Sequence, residues 1–394
     1  MTPLLEQFDF PALRDLLGKI GADGWLLYDF RGINPAASRV LGINGMGTRR
    51  FFVLLPRDGT PVAVAHRIEL ASFDGFPGEV RPYAAWPELH ERLRALVGGK
   101  TVAMEVSPAD AVPYVDRVPH GVVELIESFG ARVVSSGTLI SRFAARWSAS
   151  ELAGHRRAAE AIAEIANDAL RWAGAELARG GEVRETTVQS RVMAAFGRAG
   201  LVTDHPPIVG FQANAANPHY EPKPGADRRL VAGDVLLLDL WAGVALGSVF
   251  ADQTWMAFAG REPSAEVRKV WDAVRGARDA AVALLRDRWQ KQQPVTGAAL
   301  DDAARGVIRA AGFGEYFVHR TGHSIDRELH GSGPHLDNFE TADERALIPG
   351  VGFSVEPGIY LTGRFGIRTE INVFMGESSP EVTPKTPQQE LLLV

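Results

Sequence analysis

Four acidic residues stand inside short apolar runs, and this limits what the chain can fold into. Asp239 sits in Val235-Leu236-Leu237-Leu238-Asp239-Leu240-Trp241, and Asp252 in Val249-Phe250-Ala251-Asp252-Gln253-Thr254-Trp255. Glu356 sits in Gly352-Phe353-Ser354-Val355-Glu356-Pro357, and Glu370 in Ile367-Arg368-Thr369-Glu370-Ile371-Asn372-Val373. Each run reads as a buried strand. Burying an ionised carboxylate without a partner costs several kcal/mol or more. A fold that accepts four of them must supply positive charge. Side chains alternate along a strand with a period of two, so Arg368, Glu370 and Asn372 share one face, as do Phe250, Asp252 and Thr254. The acids would line a polar seam. Bound metal satisfies them, and so does a core ion pair in which Arg368 serves one acid. Placement on exposed edge strands would remove the demand.

A histidine-rich segment follows the same logic. Val318-His319-Arg320-Thr321-Gly322-His323-Ser324-Ile325 has two histidines four apart, and His330 lies seven beyond His323, in a chain with ten histidines. A lone histidine is more often a structural hydrogen bonder. Three beside glycines favour a site. His219, in Asn217-Pro218-His219-Tyr220-Glu221-Pro222, reads as a loop residue open to either role.

At 394 residues the chain has the length of two domains. The first reads as mixed α/β over 1–146: a strand at Gly24–Phe30, a hairpin of Phe51–Leu55 and Val62–Ala65, a helix at Glu88–Leu96, and strands at Val102–Glu105 and Val133–Val134. Ser148 and Glu151 have capping-box spacing and open a long alanine-rich helix at the start of a second domain over 147–394. That domain repeats a layout. Helices at about 150–178 and 185–198 precede strands at 208–211, 234–241 and 249–258. Helices at about 264–290 and 297–310 precede strands at 316–319, 352–356 and 366–375. The fold class is therefore α/β (α+β), with a duplicated helix–helix–sheet unit.

The absence of cysteine excludes disulfides, thiol nucleophiles and cysteine zinc sites, and fits a reducing, cytoplasmic setting. Any metal must sit on His, Asp or Glu. A net charge of −6 without a basic block disfavours nucleic acid. No apolar run reaches the ~18 residues of a membrane span, and the first ten residues do not read as a signal peptide.

Taken together, these residues resemble the pita-bread metallopeptidases, a family of Xaa-Pro dipeptidases (prolidases), aminopeptidases P, methionine aminopeptidases and the metal-free creatinases. The resemblance covers roughly residues 148–394. Asp239 matches the first ligand at the end of an apolar strand, and Asp252-Gln253-Thr254 the second in its Asp-x-Thr setting. Gly322-His323, Glu356-Pro357-Gly358 and Arg368-Thr369-Glu370 match the other three, and His219, His319 and His330 carry over as non-ligand histidines. The preceding domain is similar to the small amino-terminal domain of prolidases and creatinases. There are departures. The aspartates lie thirteen apart, wider than is usual, which lengthens the hairpin at Ala242–Ser248. The family's Gly-His-Gly-Ile-Gly is here Gly322-His323-Ser324-Ile325-Asp326, and Gly331 follows His330 where an acid is common.

The resemblance implies two divalent ions on Asp239, Asp252, His323, Glu356 and Glu370. The oxygen-rich donor set suits Mn²⁺ or Co²⁺, with Zn²⁺ also able to bind. It implies Glu356 as the acceptor of a proton from the attacking water, His219 and His330 at the scissile carbonyl, and His319 and Arg368 as orienting groups. The expected reaction is hydrolysis of Xaa-Pro dipeptides by a homodimer. The rivals are aminopeptidase P activity on longer peptides, a catalytically silent binding protein, and a creatinase-like metal-free hydrolase, which five intact ligands oppose. The segment Arg31–Arg50 reads as a loop with four arginines, Arg31, Arg39, Arg49 and Arg50, and by resemblance one of them could pair with the substrate carboxylate.

Overall fold

The computed structural model describes residues 4–5, 8–43 and 47–394. It divides into one compact unit ending at Ala144 and another from Ala145 to Val394. The first contains α1 (Phe10–Ile20), β1 (Gly24–Asp29), α2 (Pro35–Leu41), β2 (Phe51–Pro56), β3 (Val62–His66), β4 (Glu79–Tyr83), α3 (Trp86–Val97), β5 (Thr101–Met104), α4 (His120–Ser128), β6 (Arg132–Ser135) and α5 (Gly137–Phe143). Its six strands form one mixed sheet in the order β4-β3-β2-β1-β5-β6. Helix α2 corrects the expectation of a single arginine-bearing loop over 31–50. The Asn34 side chain caps its first turn, Pro35 opens it and Gly42 ends it in a left-handed conformation, so Arg39 lies on a helix. Residues 44–46 of that segment lie outside the described residues.

The second unit repeats a helix pair and a sheet. Helices α6 (Ala149–Ala178) and α7 (Glu185–Ala199) precede β7 (Ile208–Phe211), β8 (Val235–Ala242) and β9 (Ala251–Phe258). Helices α8 (Ala265–Gln290) and α9 (Gly297–Ala310) precede β10 (Ser324–Ile325), β11 (Gly352–Val355), β12 (Gly358–Leu361), β13 (Phe365–Arg368), β14 (Ile371–Met375), β15 (Pro380–Thr383) and β16 (Leu392–Leu393). Strands β16-β9-β8-β7 form one sheet, β10-β11-β14-β15 a second, and β12-β13 a two-stranded ribbon. The capping box of α6 is complete: the Glu151 amide donates to Ser148 Oγ at 3.2 Å and the Ser148 amide to Glu151 Oε2 at 2.7 Å. Such a cap contributes ~1 kcal/mol.

Period-two packing decides where the acids go. On β8, Leu236, Leu238 and Leu240 pack with the alanine-rich face of α6. Val235 and Leu237 point the other way, into the core beneath α8 and α9, with Met256 and Phe258 of β9. Asp239 continues that second face. Its antiparallel partner is Thr254, and Asp252 pairs with Trp241, so both aspartates emerge on one side of the sheet. The strands end their pairing at Ala242 and Ala251, leaving the lengthened connection outside the ladder, so the register that aligns the aspartates is kept.

Two expected strands are corrected. Residues 316–319 are irregular after a 3₁₀ turn at Gly314–Tyr316. The buried Arg305 guanidinium takes the carbonyls of Phe317 and His319 that a ladder would need, at 3.0 and 2.8 Å, and Asp301 Oδ1 takes the Thr321 amide at 3.0 Å. The expected strand 366–375 is two, β13 and β14, in different sheets. At the crossing, the Thr369 amide donates to Pro357 O at 3.4 Å and the Glu370 amide to Thr254 O at 3.3 Å.

Candidate metal centre

Beneath the Asp239–Asp252 face lies the Thr369-Glu370 crossing. Thr254 Oγ1 is 2.9 Å from Glu370 Oε2 and 3.3 Å from Asp239 Oδ1, and it accepts from Arg368 Nε at 2.8 Å. Asn372 fixes Asp252 from the backbone. Its Oδ1 accepts the Asp252 amide at 2.9 Å and its Nδ2 donates to the Asp252 carbonyl at 2.8 Å. The interruption of the strand at Thr369-Glu370 therefore lets Arg368, Glu370 and Asn372 all reach one sheet, although they do not share a continuous strand.

From the other side, His323 is set by close backbone approach. A Cβ at Gly322 would lie 2.0 Å from the Ser354 carbonyl oxygen, so only glycine fits there. The His323 amide donates to Ser354 Oγ at 3.0 Å, and Ser354 Oγ lies 3.1 Å from Glu356 Oε1. His323 Nδ1 lies 3.2 Å from the Ser324 carbonyl, which fixes the proton on that nitrogen. Nε2 then presents a lone pair toward Asp252 Oδ2 and Glu356 Oε1, each 3.4 Å away.

Ligand atoms of Asp252, His323 and Glu370 all lie within 4.8 Å of one another, and all three residues are buried. Glu356 borders this group through His323, and Asp239 through Thr254. Asp239 also pairs with the buried Arg368 guanidinium. The metal and core-pair readings of the seam therefore coexist: Arg368 serves Asp239 while three other acids cluster with an imidazole.

Electrostatics mark a demand for more positive charge. Burial raises the Asp239 pKa to about 7 despite Arg368. Burial, then the charges of neighbouring acids, push Asp252 and Glu370 well above the carboxylate range. Glu356 moves the other way: burial raises it, but His323, His319, Arg368 and Arg320 together outweigh burial. Glu370 Oε1 is buried with no hydrogen-bond partner, an uncommon condition for a native polar atom. An orphaned carboxylate oxygen, a lone pair aimed at two carboxylates, and acids held above their usual range all fit divalent cations here. Hard oxygen donors and one imidazole make up the set.

The expected non-ligand residues are dispersed around this group. His330 is exposed, its ring 4.2 Å from that of His323 and inclined by 64°. His219 is exposed on its loop, and its charge is felt at His330. His319 is engaged at both nitrogens: Nδ1 donates to the Arg320 carbonyl at 2.7 Å, and Nε2 accepts from the Tyr360 hydroxyl at 2.8 Å. Its pKa falls to about 4, chiefly from burial, so it is neutral at pH 7.

A model of metallopeptidase family M24 matches residues 153–377, more than half of the chain. The chain belongs to metallopeptidase family M24. It is a metallopeptidase, and its second unit has the pita-bread fold. A probable dipeptidase PepE of Mycobacterium bovis is 30% identical over 356 residues, 87% of this chain and 85% of its own length. An Xaa-Pro dipeptidase of Lactobacillus delbrueckii subsp. lactis is 32% identical over 170 residues, 43% of this chain and 42% of its own. The crystal structure of dipeptidase PepE from Mycobacterium ulcerans matches with a TM-score of 0.74 at 27% identity, covering 98% of this chain and 96% of that one.

Around this cluster the sequence assigns no role to Asn372 or Tyr360, and gives Thr254 only as part of the Asp-x-Thr setting. Thr254 joins Asp239, Glu370 and Arg368, Asn372 clamps Asp252, and Tyr360 takes His319. The period-two argument had already put Thr254 and Asn372 on the right faces. Tyr360 has no such signal, because nothing in the sequence brings it to His319.

Proposed function

We propose that the chain is a dinuclear metal-dependent dipeptidase acting on Xaa-Pro substrates. The observation that carries this is the buried convergence of Asp252, His323 and Glu370, bordered by Glu356 and Asp239, in a chain whose relatives include a probable dipeptidase and an Xaa-Pro dipeptidase. These five residues would hold two divalent ions, Mn²⁺ or Co²⁺ by donor chemistry. When bound, the ions would supply a water made acidic enough to attack at neutral pH, and a positive field at the scissile carbonyl.

The chain's own groups have distinct parts in this reading. Glu356 has the most accessible side chain of the three acids that flank His323 or Arg368, 13% against 6% for Asp252 and 9% for Asp239, so it can accept the proton of an attacking water. His330 and His219 stand on the open side and donate to the carbonyl oxygen as charge develops. Arg368 pairs with Asp239 and opposes the burial that raises its pKa, and His319 orients Tyr360. An Xaa-Pro bond has no N–H, so recognition through that hydrogen is impossible and activation through the carbonyl is required. A cytoplasmic homodimer is part of the same proposal. The cysteine-free composition fits it, and among the described residues no helix is long and apolar enough to cross a membrane.

Hydrolysis of Ala-Pro, Ala-Leu, Ala-Pro amide and Ala-Pro-Ala under one Mn²⁺ concentration tests the substrate assignment. Ala-Pro is expected to be cut fastest. A free proline carboxylate read by a charge-assisted bond is worth ~1.5–3 kcal/mol, about one to two decades in kcat/KM over the amide and the tripeptide. Equal rates on Ala-Leu would make it a general dipeptidase, and equal rates on the tripeptide an aminopeptidase.

A further inference from the structure

Asp326 stands where the pita-bread pattern has glycine, and Gly331 where an acid is common after the histidine. The structure joins these two departures. Asp326 is buried, 4% exposed, although it begins a loop whose next two residues are exposed. Its Oδ1 accepts the Glu328 amide at 2.9 Å, and its Oδ2 accepts the Ser332 amide at 3.0 Å and the Ser332 hydroxyl at 3.2 Å. The carboxylate therefore grips the loop on both sides of His330. The Gly331 amide donates to Ser324 O at 2.7 Å, closing the loop onto β10. A Cβ at residue 331 would lie 2.7 Å from Asp326 Cγ and Oδ2 and 2.9 Å from its amide nitrogen, so the carboxylate occupies space that only glycine leaves. Between these fixed points the His330 ring meets His323 at 4.2 Å.

We propose that Asp326 is a positioning residue for His330: its carboxylate, lodged against Gly331, fixes the 326–332 loop so that the imidazole stands over His323. The inference rests on the assignment of His330 to the scissile carbonyl. A loop with exposed residues ordinarily samples many conformations, and a misplaced donor costs rate without touching the ligands. The effect of Asp326 on rate would then pass through His330.

The test compares Asp326→Ala, Asp326→Asn, His330→Ala and the Asp326→Ala/His330→Ala double variant. Each is measured for kcat, KM and metal content with Mn²⁺, and in the metal-free state for the nuclear Overhauser contact between the His323 and His330 rings. Asp326→Ala should lose kcat by roughly 10-fold to 100-fold with KM little changed. It should keep its metal and lose the ring contact. Asp326→Asn retains an acceptor for Glu328 and should recover part of the rate. The double variant should be no slower than His330→Ala, because the two residues act as one unit. Multiplicative losses in the double variant, or a ring contact that survives Asp326→Ala, would overturn the proposal. If Asp326→Ala does not fold, the Asp326→Asn/His330→Ala double variant carries the test: it should be no slower than His330→Ala, and multiplied losses would overturn the proposal. Wild-type kcat in His330→Ala would instead defeat the catalytic assignment of His330, and the ring contact would still decide whether Asp326 positions it.

Discussion

Asp252→Ala is expected to stay folded, bind little Mn²⁺ and lose hydrolysis by well over ~100-fold, since even outer partners of metal ligands cost 10–100-fold. Asp252 shares its surroundings with every other part of the cluster. His323 Nε2 faces it at 3.4 Å, Glu370 lies within the same 4.8 Å group, and Asn372 holds its backbone on both sides. Removing its carboxylate deletes one ligand atom from the densest part of the site. The backbone clamp does not depend on that carboxylate, so the strand keeps its register. In the presence of chelator the variant should be more stable than the parent, because the Asp252 charge raises the carboxyls of Glu370 and Asp239. Loss of rate with full metal content, measured by mass spectrometry of the purified variant, would contradict a ligand role.

The second large effect is in stability. Chelated protein should lose stability steeply as pH rises from 6.5 to 8, and saturating Mn²⁺ should abolish the slope. Asp239 is raised from 3.8 to about 7, and Asp252 and Glu370 are raised well above 3.8 and 4.5. An acid whose folded pKa lies above its unfolded value binds more protons in the native state throughout the interval between the two. Stability is then greatest at low pH and is lost up to the folded pKa. Buried histidines act oppositely. His155 and His319 are both lowered to about 4 by burial, so they reduce stability as pH falls below 6.5. At pH 6.5 the unfolded-state imidazoles are still about half protonated, so these histidines, with His323, His330 and His335, which are also lowered, offset part of the acid slope at the start of the window and little of it by pH 8. Each fully engaged acid gives ~1.4 kcal/mol per pH unit, so a fall on the order of 2–4 kcal/mol is expected across this window. Urea unfolding at fixed pH values with chelator, beside the same series with Mn²⁺, measures it. The Asp252→Asn protein should show a flatter curve, and an equal slope in that variant would show that the charge cluster is not the source.

The parts of the fold that sequence made legible are those with local causes. Helices α6 to α9 follow from periodicity, and α6 also from its capping box at Ser148 and Glu151; the caps at Ser264 and Thr296 are seen in the structure. Strands β8, β9 and β11 follow from apolar runs, and alternation set Asp252 with Thr254, while the pairing register brings Asp239 to the same side. What escaped depended on partners distant in sequence. Residues 316–319 look like a strand, but Arg305 and Asp301, on a helix, take the groups a strand would use. Residues 366–375 look continuous, but Thr369 and Glu370 bond to Pro357 and Thr254 and divide them between sheets. Helix α2 carries local signals in Asn34, Pro35 and Gly42, which the loop reading of the arginine segment leaves unused. The acids of the candidate metal centre were readable because carboxylates in apolar strands are costly. Asp326 was noticed only as a mismatch, since its partner Gly331 is defined by space rather than by chemistry.

If the acids and imidazole of this site hold two ions, hydrolysis depends on them. Titrating metal-depleted protein with Mn²⁺, while bound metal per chain and Ala-Pro hydrolysis are followed in parallel, tests it most directly. The account predicts no hydrolysis at zero occupancy, and a rate that rises with binding and levels off at two ions per chain. Full hydrolysis by protein that mass spectrometry shows to be free of metal would contradict it.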